Sequence, residues 1–326
     1  MAHKQLGLVL STVTRAPPSE LVEIAQLCEE HGFDSVFVNE GRGDALACAE
    51  AIALGTTRIR VGTNIANIYL RHPYLAASTA RTIAALSQGR LVLGLGMSHR
   101  GLLEALGIDM GNARQRLEDY VRFVRRALTG DAGSERVQLP ASAYPVPLYV
   151  AANTVESAVV AGEAGDGIMP FLSPLSYLPD LIGTAKKAAE ASGRDPDGFR
   201  CIISIPTFVS DDEAEARSAA RYNLAYFARL PNYRRQWRRA GFADAMNAVK
   251  ATWETGDRRA AAAQIPDALV DEVCVFGPPE RCRAQLDAFR AAGADVPVLA
   301  VSPVNAERLA ATRQAIEVLG CGVRNG

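Results

Sequence analysis

Residues 91–100 read LVLGLGMSHR, a short apolar run followed by glycines and then by polar residues. The run at 91–93 is too short and too close to glycine for a helix, so it predicts a buried strand. Gly94 and Gly96 let the backbone approach a ligand closely. Residues 98–99 then place a hydroxyl and an imidazole where the strand ends. Taken alone, the stretch favours a tight turn with a surface histidine, because the third glycine of G-x-G-x-x-G is missing.

Outward from this strand, short apolar runs and amphipathic helical patterns alternate along the chain. The other predicted strands lie at residues 5–10, 35–38, 59–61, 148–151, 167–169, 201–209 and 298–301. The predicted helices lie at residues 17–32, 44–54, 73–86, 114–128, 154–164, 176–191, 211–229, 233–255, 279–292 and 306–319. Eight strands that are each followed by a helix predict a (β/α)8 TIM barrel and not a doubly wound sheet. We therefore expect one domain over residues 1–326, with the largest, helical insertion between strands seven and eight.

Composition excludes several classes of function. The net charge is −1 and the basic residues are scattered, so no nucleic-acid footprint stands out. The six cysteines form no CxxC or metal-ligand spacing, and we expect no metal and a reducing cytoplasm. No apolar run reaches the roughly 20 residues that span a bilayer, and the first residues lack a signal-peptide pattern. The densest basic cluster, at residues 234–239, is either a grip on an acidic ligand tail or a solvated helix face.

The barrel predicts where the active site lies, because barrel enzymes place it at the carboxyl ends of the strands. The residues that follow five of the strands should therefore share one rim: Asn39-Glu40, Thr63-Asn64, Ser98-His99, Asn153-Thr154 and Pro170.

Three segments near this rim carry candidate chemistry. In residues 61–73, VGTNIANIYLRHP, Asn64 and Asn67 either hydrogen-bond a heteroaromatic ring or cap turns. In residues 150–154, VAANT, an amide and a hydroxyl open a helix, which is typical of a phosphate site or of a plain N-cap. Residues 162–167, GEAGDG, either bring a strand close to the same phosphate or form a tight turn.

Taken together, these segments resemble the luciferase-like family of flavin and deazaflavin oxidoreductases. The matching pieces, in the family order, are GFDSVFV (32–38), TTRIRVGT (56–63), RHP (71–73), LSQGRLVLGLG (86–96), PLYVAAN (147–153), AGEAGDGI (161–168) and VFGPPERC (275–282). Each piece is weakly specific, but the set runs through most of the chain.

The resemblance implies a tricyclic cofactor and the residues around it. It implies a non-prolyl cis peptide between Asn64 and Ile65 that supports one face of the ring. Asn39, Thr63, Asn64, Ile65, Asn67, Met97 and Ser98 would surround the ring. Asn153, Thr154, Val155, Gly167 and Ile168 would hold the phosphate of the ribityl tail.

The segments NIANIYLRHP (64–73) and LEALGI (103–108) are more similar to the branch that uses coenzyme F420. That branch implies an oxidoreductase that transfers a hydride between the deazaflavin and a C=C, C=N or C=O bond of a small substrate. The alternatives are an FMN-dependent monooxygenase and a non-catalytic flavin-binding protein. The family usually forms homodimers.

The proton donor is His99 or Glu40. His99 stands where other members have a glutamate, and imidazole titrates near neutrality; alternatively it caps the loop. Glu40 is either a second donor or half of a salt bridge with Arg42 or Arg100. Members that oxidise glucose 6-phosphate carry an Asp-His pair after strand two, where this chain has Glu40-Gly41, so that sugar is not expected. The substrate pocket would be lined by loops that include residues 12–15 and 222–237.

Overall fold

The computed structural model describes residues 4–12, 17–134, 137–254 and 256–320. The strands are β1 (Gly7–Ser11), β2 (Ser35–Asn39), β3 (Arg60–Thr63), β4 (Ala66–Asn67), β5 (Leu91–Gly96), β6 (Gly133–Ser134), β7 (Val137–Gln138), β8 (Leu148–Val150), β9 (Gly167–Ile168), β10 (Arg200–Val209), β11 (Val275–Gly277) and β12 (Val296–Val301). The helices are α1 (Pro18–Glu30), α2 (Ala45–Gly55), α3 (Pro73–Leu86), α4 (Arg100–Ala105), α5 (Ala113–Leu128), α6 (Val155–Ala164), α7 (Leu178–Ala191), α8 (Glu213–Ala228), α9 (Pro231–Arg239), α10 (Ala243–Glu254), α11 (Arg258–Ala263), α12 (Asp267–Val273), α13 (Pro279–Ala291) and α14 (Arg308–Leu319). Most of the predicted loop at residues 12–15 lies outside the described residues.

Eight parallel strands close into a barrel, which confirms the predicted fold. Their order around the barrel is β1, β2, β3, β5, β8, β9, β10 and β12, and β12 pairs with β1 to close it. Two short strands extend this sheet: β4 pairs with β5, and β11 pairs with the last residues of β10. All carboxyl ends therefore point to one rim, as the alternating pattern predicts.

Local sequence explains where α3 begins and ends. Pro73 occupies its first turn, where its fixed φ suits a helix and its missing N–H is not needed. Nδ1 of His72 caps the start by accepting a hydrogen bond from N of Tyr74. The helix ends where Gln88 and Gly89 adopt φ values of +53° and +85°. A left-handed residue after a helix turns the chain toward the next strand.

A second apolar core lies between β10 and β12. Helices α8 to α12 surround Trp237, Phe208 and Phe276, which are fully buried. Trp237 belongs to this core, whereas Tyr222 and Tyr226 are exposed. The segment predicted as one helix at residues 233–255 is two helices, because Gly241 adopts a φ of +94° between α9 and α10.

Sequence patterns missed β4, α4, β6, β7, α11, α12 and β11. Each of them is between two and seven residues long, which is too short for a hydrophobic period to emerge. No helix among the described residues is long and apolar enough to cross a membrane.

Glycine allows β3 and β5 to approach each other. A Cβ atom on Gly62 would lie 2.1 Å from O of Val92, and one on Gly94 would lie 2.2 Å from O of Thr63. The Thr63 hydroxyl joins the same strands, donating to O of Gly94 at 2.7 Å and accepting from N of Gly94 at 3.1 Å. Thr63 is fully buried in this contact and therefore supports the rim from below.

We expect Gly94→Ala to destabilise the barrel and Gly101→Ala to leave it intact. The new methyl group at position 94 would overlap backbone and Sδ of Met169, and overpacking of this kind costs about 1–3 kcal/mol or more. At Gly101 the nearest atom is 3.9 Å away, and alanine in a helix gains about 0.5–1 kcal/mol over glycine. Urea unfolding of both variants measures the difference. Equal stability of the two variants would contradict the close approach.

Candidate functional site

The carboxylate of Glu40 ties together the loops that follow β2 and β3. Its Oε2 accepts a hydrogen bond from N of Asn67 at 2.7 Å. Its Oε1 accepts one from N of Ala45 at 3.3 Å and one from Nη2 of Arg71. The backbone N of Glu40 donates to O of Ile65 at 3.1 Å. Both carboxylate oxygens are therefore occupied as acceptors.

Arg71, and neither Arg42 nor Arg100, is the ion-pair partner of Glu40. Nη2 of Arg71 also lies 3.2 Å from Oδ1 of Asp44. The side chains of Glu40 and Arg71 are only 5% and 10% exposed, so the pair lies inside the protein. Burial raises the pKa of Glu40, while hydrogen bonds from Asn67 and Ala45 and the charge of Arg71 act in the opposite direction. An ionised carboxylate in such a place depends on these partners.

The peptide bond between Asn64 and Ile65 is cis, which confirms the prediction. The backbone N of Asn64 donates to O of Val38 at 2.8 Å. Its Nδ2 donates to Oγ of Ser204 at 2.9 Å, across the barrel on β10. This arrangement holds Asn64 against two strands and presents the Asn64–Ile65 turn at the rim. Ser204 was not predicted, because nothing in the alternating pattern of β10 marks it.

Asn67 has a buried donor without a protein partner. Its side chain is 1% exposed, and Oδ1 accepts a hydrogen bond from N of Tyr69 at 3.0 Å. Its Nδ2 has no hydrogen-bond partner among the described residues. A buried polar group without a partner costs about 1–3 kcal/mol. The amide is thus suited to the carbonyl oxygen of a bound heteroaromatic ring, so this part of the rim fits a flavin-type cofactor.

The predicted stretch after β5 lies beside Asn67. Asn67 pairs with Gly96, the last residue of β5, and N of Ile68 donates to O of Gly96 at 3.0 Å. Met97 packs partly buried against the core, and Ser98 is exposed with a φ of +59°. A positive φ at a residue other than glycine is uncommon and re-aims the chain at this point.

His99 is the N-cap of α4. Its Nδ1 accepts a hydrogen bond from N of Leu102 at 3.2 Å, so the neutral ring carries its proton on Nε2. Partial burial lowers the pKa of His99, and the positive charge of Arg229 lowers it further. The capping interpretation of His99 is therefore correct. The cap uses Nδ1 and leaves Nε2 without a hydrogen bond to the described residues.

The start of α6 lies on the same rim. Thr154 and Ser157 form a capping box, and Val155 is exposed at the first helical position. Oδ1 of Asn153 accepts a hydrogen bond from N of Phe171 at 2.9 Å. The free N–H groups of a helix start and its dipole favour an anion. The Thr154 hydroxyl is occupied by the cap and the N–H of Glu156 by its own carboxylate, so the N–H of Val155 is the donor that remains at the start of this turn.

Besides Thr63, whose hydroxyl is bound to Gly94, three predicted residues lie away from the rim or are otherwise engaged. Gly167 begins β9 and pairs with Arg200, the first residue of β10, and a Cβ atom there would lie 2.2 Å from O of Arg200. The glycine is therefore explained by strand packing. Ile168 is fully buried in the core. Oδ1 of Asn39 accepts from N of Thr12 at 3.2 Å, which fixes the loop after β1.

Comparisons with known proteins agree with this geometry. The family model described as luciferase-like monooxygenase matches residues 3–296, and the chain belongs to that family. The 5,10-methylenetetrahydromethanopterin reductase of Methanolobus tindarius is 24% identical, and the alignment covers 93% of this chain and 95% of that protein. The solved coenzyme F420-dependent tetrahydromethanopterin reductase of Methanopyrus kandleri has a TM-score of 0.80 at 18% identity and covers 99% of both chains. These findings confirm the predicted family and its oxidoreductase character.

A flavin enzyme shares the same barrel. The oxygenating constituent of 3,6-diketocamphane monooxygenase of Pseudomonas putida, solved in complex with FMN, has a TM-score of 0.69 at 18% identity and covers 98% of both chains. At this identity the likeness shows the fold alone. Proteins that use coenzyme F420 by name and a protein solved with FMN therefore share this barrel.

We expect Arg71→Met to destabilise the protein by about 3–5 kcal/mol, because it leaves Glu40 as a buried charge without its ion-pair partner. The loss of stability should shrink as the pH falls. Without Arg71, the pKa of Glu40 in the folded protein lies further above its value in the unfolded chain, so the carboxyl group takes up a proton on folding and the buried charge disappears. The control is Arg122→Met, whose salt bridges to Glu118 and Glu163 are exposed and are worth at most about 1 kcal/mol. Urea unfolding at several pH values measures both variants. Equal losses at positions 71 and 122 would contradict the network.

Proposed function

We propose that this protein is a coenzyme F420-dependent oxidoreductase that transfers a hydride between the deazaflavin and a C=C, C=N or C=O bond of a small organic molecule. The observation that carries the proposal is the buried Nδ2 of Asn67, a donor without a protein partner beside the end of β5. The relative in Methanolobus tindarius, which aligns with 93% of this chain, is a reductase and not an oxygenase by name.

The cofactor ring would lie on the Asn64–Ile65 turn. Nδ2 of Asn67 would donate to a ring carbonyl, and Met97 and Ser98 would bound the ring on the side of β5. The cofactor, when bound, supplies the hydride. The phosphate of its tail would meet the N–H of Val155 and Nδ2 of Asn153.

His99 is the proton donor in this proposal. In the neutral ring Nδ1 accepts from the N–H of Leu102. In the protonated ring both nitrogens carry a proton, so this cap opens and Nε2 can give its proton to a substrate. General acid catalysis by a positioned imidazole contributes about 10²–10⁴-fold to a rate. The proton joins the substrate atom next to the carbon that receives the hydride.

Glu40 is a positioning residue in this proposal. Its two oxygens accept hydrogen bonds from Asn67, Ala45 and Arg71, which hold the carboxylate toward these loops. It fixes the backbone of Asn67 and so the direction of the free amide. In this proposal Glu40, predicted as a second proton donor, instead positions Asn67 beside the cofactor ring.

An FMN-dependent monooxygenase is the second candidate. The description of the matching family and the shared barrel of the FMN-bound monooxygenase favour it. Both candidates use a small-molecule substrate. The homodimer and the cytoplasmic location stay predictions.

We expect the purified protein to bind oxidised F420 more tightly than FMN, because the chain is similar along its length to F420-dependent reductases. Quenching of the fluorescence of Trp237 and Trp253 during titration measures both affinities. Reduced F420 should lose its hydride to a suitable C=C, C=N or C=O compound without uptake of oxygen. Tighter binding of FMN, with oxygen consumption by the reduced complex, would overturn the proposal in favour of the monooxygenase.

We expect His99→Asn to lower kcat by about 10²–10⁴-fold and to leave the affinity for F420 unchanged. Asparagine is also a good N-cap, so α4 should persist. The rate of the wild-type enzyme should fall as the pH rises through the pKa of His99, which burial and the charge of Arg229 hold below its ordinary value, because the protonated ring is the acid. The variant should lose this pH dependence. A pH–rate profile that is the same in both proteins would rule out His99 as the donor.

A further inference from the structure

The amino-terminal mouth of the barrel, at the opposite end from the rim, contains a cavity of about 460 Å³, which we call the basal cavity. Its lining comes from the beginnings of the barrel strands and includes Ser35, Arg60, Tyr149 and Arg200. Ligand pockets in proteins usually measure about 300–1,000 Å³, so the basal cavity is large enough for a small organic molecule. None of its lining residues belongs to the candidate site at the rim.

One side of this mouth is formed by the first residues of β1, β2 and β3. Gly7, Ser35 and Arg60 are paired side by side in the sheet. A Cβ atom on Gly7 would lie 2.7 Å from Oγ of Ser35, so the glycine makes space for this hydroxyl. Ser35 is 4% exposed, and its Oγ has no hydrogen-bond partner among the described residues. This wall of the cavity therefore carries a buried hydroxyl that is free to bond a ligand.

The opposite side of the mouth is formed by β8, β9 and β10. Tyr149, Gly167 and Arg200 are paired side by side, and a Cβ atom on Gly167 would lie 2.4 Å from Cε1 of Tyr149. The glycine thus makes space for the tyrosine ring. No described residue forms a hydrogen bond with the Tyr149 hydroxyl. Burial raises the pKa of Tyr149 to about 12, so the hydroxyl keeps its proton at neutral pH and can donate it in a hydrogen bond.

The two arginines at the mouth differ in their partners. Nη1 of Arg200 lies 3.4 Å from Oδ1 of Asp295, whose other oxygen accepts a hydrogen bond from a backbone N–H at 2.7 Å. The carboxylate of Asp34 accepts one from N of Leu6 at 3.0 Å. Arg60 is exposed, and its side chain forms no hydrogen bond or ion pair with the residues that the structure describes. The mouth therefore offers a guanidinium group without a partner, while both carboxylates already accept hydrogen bonds.

The floor of the basal cavity is apolar. Phe37, Val92 and Ile202 line it, and they are buried in the apolar cluster that fills the barrel interior. Removing apolar surface from water is favourable, so the floor suits the apolar part of a ligand. The cavity is thus apolar at its inner end and rich in hydrogen-bond donors at its outer end.

We propose that the basal cavity binds a small carboxylic acid with an apolar body, in its ionised form. The carboxylate would accept hydrogen bonds from the guanidinium of Arg60 and the hydroxyl of Tyr149, and the apolar body would contact Phe37 and Val92. A guanidinium group matches the two oxygens of a carboxylate, and a single unpaired arginine suits one negative charge better than the two of a phosphate. This ligand and a cofactor at the rim would bind at the same time.

The experiment is isothermal titration calorimetry of the full-length protein with sodium hexanoate. The comparison ligands are hexan-1-ol, which has the same apolar body without the charge, and inorganic phosphate, which has charge without the apolar body. We expect hexanoate to bind once per chain, in roughly the millimolar range. Both comparison ligands should bind at least roughly 10-fold more weakly, because each lacks one half of the interaction. Saturation of the protein with F420 should leave the affinity for hexanoate unchanged.

Three variants test the residues. Arg60→Gln should weaken hexanoate binding by roughly 10-fold, and Tyr149→Phe, which keeps the ring, by roughly 3- to 10-fold. The matched control is Arg58→Gln, because Arg58 is an exposed arginine two positions earlier that does not line the cavity. Its affinity for hexanoate should equal that of the wild type.

Several results would overturn this proposal: no binding of hexanoate, tighter binding of phosphate than of hexanoate, or displacement of hexanoate by F420. Wild-type affinity in Arg60→Gln or in Tyr149→Phe would also overturn it, as would an equal loss in Arg58→Gln and Arg60→Gln. A protein that binds hexanoate as expected but does not bind F420 would overturn the proposed function and leave the basal site standing.

Discussion

The rim of this barrel depends on one buried carboxylate. Glu40 follows β2 and takes hydrogen bonds from the loop after β3, from the start of α2 and from Arg71. Loops have few hydrogen bonds of their own and tend to move relative to the strands that carry them. A charged acceptor with donors from three directions removes that freedom, since a charge-assisted hydrogen bond is about twice as strong as a neutral one. The orientation of Asn67 follows from this constraint.

The carboxylate can act in this way because the strands beneath it are packed unusually close. At Gly62 and Gly94 the neighbouring backbone occupies the place of a side chain, and the Thr63 hydroxyl exchanges two hydrogen bonds with Gly94. The floor of the site is therefore made of backbone, which cannot rotate away. A preorganised site loses less entropy when a ligand binds. The close packing of β3 and β5 should therefore favour binding of a ligand by the loops that follow these strands.

The sequence predicted what depends on periodicity and on position along a strand. Alternation predicted the barrel, and the rule that strand ends share a rim brought Asn64, His99 and Asn153 together. The sequence could not predict what depends on side-chain direction. Glu40 follows strand β2, where a proton donor was expected. Only the structure shows that Arg71, from the loop after β4, forms an ion pair with it. Gly167 belonged to a plausible phosphate motif, whereas its lack of a side chain is required by the O atom of Arg200.

The insertion between β10 and β12 packs around a core of its own. Its core, built around Trp237, is separate from the core of the barrel, so its surface can change without disturbing the strands. Two of the four arginines of α9 are bound within the insertion, by O of Ala228 and by Oδ1 of Asn247. Trp237 joins α9 to the loop after β9 through O of Leu172, and the neighbouring Phe171 donates its N–H to Asn153 on the rim. The insertion therefore meets the rim at two adjacent residues, while its own core keeps it independent of the strands.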